Sequence, residues 1–197
     1  MTSPSLTHFI HNALDMGNPT IVPVRSLALS PSSFGPSITA LHWPGHPAAP
    51  LLFIGTSKTS HHRITLFCRN PHPSNTIGTA SFPKNSTAEI ILRDVPIHMH
   101  MNSWSTKCKV DAGHMGAFIF QQDQLMGSEA LDMFDAGGMK LARIDKAGKG
   151  VKKIELFQHF DGNFFEMVVL TALSAWTIHK ELDKAMLKGF GEAIFSF

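Results

Sequence analysis

Tyrosine is missing from this chain altogether, although phenylalanine occurs 15 times, so the core is aromatic but lacks phenolic hydroxyls. Cysteine is scarce. Cys68 and Cys108 stand alone, without any CxxC spacing, which argues against a disulfide framework or a cysteine-based zinc site and favours reduced thiols in a cytosolic protein. Charge is sparse and balanced: 16% of residues are charged and the net charge is +2, too little to imply nucleic acid as a partner. The opening "MTSPSLTHFIHNALDMG" has neither a basic start nor the apolar run of about seven or more residues that a signal peptide requires, and the expectation is a cytoplasmic protein. The Asn85 glycosylation pattern "NST" means nothing without secretion. No P-loop, GxSxG, HExxH or dinucleotide-binding fingerprint occurs, and "GTSKT" at 55–59 lacks the phosphate-loop spacing and a following helix.

What is present divides at about residue 50. The chain of 197 residues is long enough for one well-buried core. Eight of its twelve prolines fall within the first 50 residues. That stretch reads as a proline-rich lead-in, packed on or flanking the main domain, with one strand at residues 22–29 that Pro23 marks as an edge strand. From Leu51 the pattern changes to short strands rich in Val, Ile, Phe and Thr, separated by turn residues. The candidates are Leu51–Thr56, Arg63–Arg69, Thr76–Phe82, Ala88–Asp94, Ile97–Met101, Cys108–Val110, Ala117–Gln122, Ala130–Asp135, Met139–Asp145 and Lys153–Gln158. Turns recur as in a sandwich or barrel, and "DAGG" at 135–138 and "KAGKG" at 146–150 supply hairpin glycines.

The C-terminus breaks this pattern. "FFEMVVLTALSAWTI", Phe164 to Ile178, is apolar nearly all the way round, and its length favours a helix over a strand. Asn163 followed by Glu166 has the spacing of a capping box. A membrane span is the competitor, but fifteen residues rise only about 22 Å where a bilayer core needs roughly 20 residues. A helix without a polar face must then be buried within the protein. The sequence therefore predicts a mainly β fold: an antiparallel β-barrel of about ten to twelve strands at 51–197, enclosing a hydrophobic helix over about 163–187.

This order of strands followed by a terminal core helix resembles the tubby C-terminal-like superfamily, which includes tubby proteins, plant LURP-one-related proteins and phospholipid scramblases. More closely, "NTIGTASFP", "LDMFDAGGMKLARIDK" and "FFEMVVLTALSAW" resemble an uncharacterised family of small fungal proteins placed near that fold. The resemblance spans about Leu51 to Glu181. It implies a barrel around a central helix and, since tubby-type members bind phosphoinositides, a lipid headgroup as partner. Their headgroup-binding residues have no positional match here, and none is carried over.

Two constellations carry possible chemistry. In "PIHMHMNSW", a strand at Ile97–Met101 turns Ile97, Met99 and Met101 to one face and His98 and His100 to the other. Two imidazoles at this spacing suit a divalent metal if a third ligand joins them, the candidates being His61, His62, His114, His159, Asp94 and Asp111. The plainer reading is a strand with methionines inward and histidines solvated. The second constellation is Lys146, Lys149, Lys152 and Lys153 around a glycine-rich hairpin, with Lys140 and Arg143 on the strand before it. Alternation predicts opposite faces for Lys140 and Arg143. Such ammonium groups suit anionic headgroups, and an ordinary solvated hairpin is the alternative. Cys68 reads as core, while Cys108 between Lys107 and Lys109 could have a lowered thiol pKa.

The leading expectation is a non-catalytic binding module without a cofactor, for anionic membrane lipid or a protein partner, cytoplasmic and peripheral at membranes. The alternative is a small-molecule enzyme of the fungal secondary-metabolism type, with His98 and His100 or a divalent metal acting on a small apolar molecule.

Overall fold

The computed structural model describes residues 22–57, 63–102, 107–122, 130–147 and 151–194, with 146, 147, 151, 152 and 183–194 described by backbone alone. The described strands are, in chain order, Arg25–Ser32 (β1), Gly35–His42 (β2), Leu52–Ser57 (β3), Arg63–Phe67 (β4), Thr76–Lys84 (β5), Thr87–Leu92 (β6), Val95–Met101 (β7), Lys107–Asp111 (β8), Ala117–Gln122 (β9), Leu131–Asp135 (β10), Lys140–Ala147 (β11) and Val151–Leu156 (β12). One helix, Gly162–Ile194 (α1), follows them. Every strand pairs antiparallel with its sequence neighbours, and β12 returns to β1, which closes the barrel. Closure leaves no unpaired sheet edge.

The ten strands expected from Leu51 onward are all present, with small shifts at their ends. The lead-in differs. Residues within the expected 1–50 flank form β1 and β2, two full members of the barrel, and β1 closes it by pairing Arg25–Ala28 with Leu156–Lys153. Prolines concealed these strands because they stand where a missing N–H costs no ladder bond. Pro31 adjoins a register shift between β1 and β2, and Pro36 falls within the residues that the shift leaves unpaired.

Strand alternation sends one row of side chains inward to α1. On β7, Ile97, Met99 and Met101 are buried and His98 and His100 exposed, as the period of two requires. Around the helix, Met167, Val168, Val169, Leu170, Ala172 and Ala175 are fully buried. The polar residues within this helix hide their hydroxyls. Thr171, Ser174 and Thr177 donate to the carbonyls of Met167, Leu170 and Leu173 at 2.7, 2.8 and 2.9 Å, so each polar group is satisfied on the helix itself. No described helix is long and apolar enough to cross a membrane.

Two details fix the helix in place. Its N-cap is Asp161, whose Oδ1 accepts from the Phe164 N–H at 3.2 Å. This corrects the expected box of Asn163 and Glu166, because Glu166 points instead to Arg93. The Arg93 guanidinium donates to both carboxylate oxygens at 2.6 and 2.7 Å, a bidentate pair that ties the helix to the β6–β7 turn. That turn holds Arg93 and Asp94 at φ of 46° and 65°, the left-handed geometry of a two-residue hairpin built without glycine.

The second detail is Gly78 on β5. A Cβ there would come within 2.8 Å of Leu170 Cδ2 and 2.9 Å of Leu92 Cδ1. The barrel wall thus touches the helix backbone-close at this point. Gly78→Ala is expected to destabilise by about 1–3 kcal/mol, the range for an overpacked core, although alanine suits a strand no worse than glycine does. Leu170→Ala should cost about 2–5 kcal/mol. In urea unfolding the double variant should lose less than the sum, since it removes the atom that the new methyl meets. Full additivity would mean that the two do not touch.

Candidate functional site

Alternating hairpins place the connections at two rims. The N-terminal rim, where α1 enters, carries the β6–β7 turn and the 3-10 turn Gly113–Met115. The other rim carries the β1–β2, β5–β6 and β11–β12 connections. Their charges differ. At the N-terminal rim four aspartates, Asp94, Asp111, Asp135 and Asp161, offset Arg25, Arg69, Arg93 and Lys140. At the far rim, the charged side chains described at the strand ends are Arg63, Lys84 and Lys107, all exposed. Phe34 in the β1–β2 turn is 56% exposed and stands edge-on to Phe53, with ring centroids 5.3 Å apart.

The lysine hairpin opens at this same rim. Lys149 lies outside the described residues; Lys146 and Lys152 pair in register across β11 and β12. Lys153 is bound in an ion pair to Glu155 at 2.7 Å, so its charge is compensated by a neighbour on its own strand. Lys140 and Arg143 share one face, contrary to simple alternation. The register shift between Met133 and Phe134 brings both to Asp132, at 2.8 and 3.7 Å, and Lys140 also lies 4.6 Å over the Phe157 ring. The described strand cations behind the hairpin, Lys140, Arg143 and Lys153, are matched by carboxylates.

His98 and His100 lie on the outer face of the barrel, in an open groove of about 940 Å³ across β6–β9. In register, His98 stands between Glu89 and Asp111, and His100 between Thr87 and Lys109. Among the described residues, Asp111 is thus the proposed third ligand that the fold brings to the histidine face. Even so, among the described residues no three His, Cys, Asp or Glu side chains gather closely enough to hold a metal. His61 and His62, with most of "GTSKT", lie outside the described residues. His114, His159 and Asp161 line a different cavity, of about 370 Å³, at the N-terminal rim.

No protein-family model, curated protein or solved structure matches this chain. The architecture itself, a closed antiparallel barrel with one C-terminal helix, is compatible with a tubby-like fold.

Cys108 is corrected by its surroundings. Lys107 and Lys109 point outward while the thiol is fully buried between them, and burial pushes its pKa up to about 12. Desolvation favours the neutral thiol, which is the opposite of an activated nucleophile. Native protein at pH 8 should therefore leave Cys108 unlabelled by iodoacetamide over hours, with full labelling in urea. Rapid native labelling of Cys108, located by peptide mass mapping, would contradict the burial.

Proposed function

We propose that this protein is a non-catalytic module that docks on anionic membrane surfaces through the rim opposite the helix N-terminus. The observation that supports this reading is the charge asymmetry of the barrel. Arg63, Lys84 and Lys107 are exposed around the far rim, the backbone pair of Lys146 and Lys152 lies at the same end of β11 and β12, and the four rim aspartates named above lie at the opposite end. Each cation near an anionic leaflet contributes about 1 kcal/mol. Phe34 adds an exposed ring at the same rim, the kind of side chain that settles at the interfacial region. Docking is through loops and turns, and the central helix stays in its barrel.

Flotation with vesicles tests this. Vesicles containing phosphatidylserine should carry the protein upward at low salt, and neutral phosphatidylcholine vesicles should not. Replacing Lys84 and Lys107 by glutamine should weaken partition by about 10- to 30-fold, at about 1 kcal/mol per charge. Arg69→Gln, at the opposite rim, should change nothing. Raising the salt should release the protein, as screening requires. Equal binding by the Lys84/Lys107 double variant and wild type, or no flotation at all, would sink the reading.

A further inference from the structure

The barrel wall has a gap on the β1–β4 side near the far rim. Between β1 and β2 the register jumps from Pro31↔Thr39 to Ser32↔Gly35. The β2–β3 pairing begins only at Ile38↔Gly55. Pro36 and Ser37 are thus unpaired on both sides, and neither Pro31 nor Pro36 has an N–H with which to close the ladder. Behind this gap lies a cavity of about 210 Å³ that reaches Leu173 and Thr177 on the central helix.

The walls of the cavity are more apolar than their residue types suggest. Leu29, Ile38, Ile54, Ile64 and Leu173 supply hydrocarbon. The hydroxyls are largely engaged within the protein: Ser30 Oγ is hydrogen-bonded to His42 Nε2, Thr56 donates to the Ser37 carbonyl, and Thr177 donates to the Leu173 carbonyl. A void with its polar groups already satisfied offers little to water and accepts an apolar guest; an apolar cavity of about 150 Å³ suffices for benzene. The volume is below the roughly 300 Å³ at which pockets take whole drug-sized molecules. It fits a slender portion of a guest whose remainder stays outside. Arg63, exposed and next in sequence to the lining residue Ile64, is a charged group at the same rim among the described residues.

We propose that this cavity takes the end of an aliphatic chain belonging to an anionic amphiphile, with the head outside at the Arg63 rim. The chain would come from a free fatty acid or from a bilayer lipid. The site is built from the wall gap and the helix, and it stands whether or not the rim docks on membranes.

The test uses the full chain and 11-(dansylamino)undecanoic acid as a fluorescent probe in vesicle-free buffer. Saturable, blue-shifted emission at one probe per protein is expected. Thr177→Phe places a ring in the cavity and should lower probe affinity at least tenfold, with the Tm unchanged or raised. Thr39→Leu fills the same space from the strand side, and should act likewise if the phenylalanine variant fails to fold. Displacement of the probe by decanoate alone assigns a free fatty acid, and displacement by phosphatidylserine vesicles assigns a bilayer chain. Absence of saturable binding, or binding that folded Thr177→Phe or Thr39→Leu leaves intact, overturns the proposal. Because the titration contains no membrane, its failure and the failure of vesicle flotation are read separately.

Discussion

Between Met167 and Ile178 the helix has no face that water would stabilise, since its side chains are apolar and its hydroxyls bond back to its own carbonyls. Such a segment must be enclosed from every direction. A two-layer sheet covers only one or two sides of a helix, whereas a closed barrel covers all of them. The rest follows from that demand. Strands alternate so that one row faces the helix, β12 must find β1, and Gly78 leaves room for Leu170. Arg93 and Glu166 then lock the entry point of the helix, with a bidentate pair that offsets the cost of two left-handed residues in the turn.

Filling the barrel with its own helix has a functional consequence. The interior is occupied along most of its length, so recognition falls to the rims, to the outer groove or to defects in the wall. Polar residues are distributed accordingly. Among the described residues, aspartates collect at the helix entry and exposed cations stand at the far strand ends, while the strand cations Lys140, Arg143 and Lys153 are already matched by carboxylates. The described rim cations, the exposed Phe34 and the apolar slot are the features on which the proposed docking rests.

Much of the fold is legible in the sequence, for local reasons. Alternation located ten strands and assigned the faces of β7, and the length of an apolar run distinguished helix from strand. The misses are non-local. Proline signals a break only where its N–H would be needed, so β1 and β2 were hidden by Pro31 beside a register shift and by Pro36 at an unpaired position. Glu166 has a capping residue's spacing, yet its partner lies 73 residues away, and nothing near it in sequence announces Arg93. A single register shift reversed the expected relation of Lys140 and Arg143. The candidate sites were legible only as residue types. That His98 and His114 line different cavities, or that a wall gap reaches Thr177, follows from pairing across the sheet and from no local pattern.

The central claim is that α1 is the core of the barrel and not a helix laid upon it. Native-state hydrogen exchange measures this most directly. If the barrel closes around the helix, amides from Val168 to Ile178 can exchange only when the whole barrel opens. Their exchange free energies should then equal the global unfolding free energy and fall with urea at the full slope. Amides of α1 that exchange at distinctly lower free energy than those of β6 and β7, with little dependence on urea, would show that the helix leaves while the barrel stays closed, and would contradict the account.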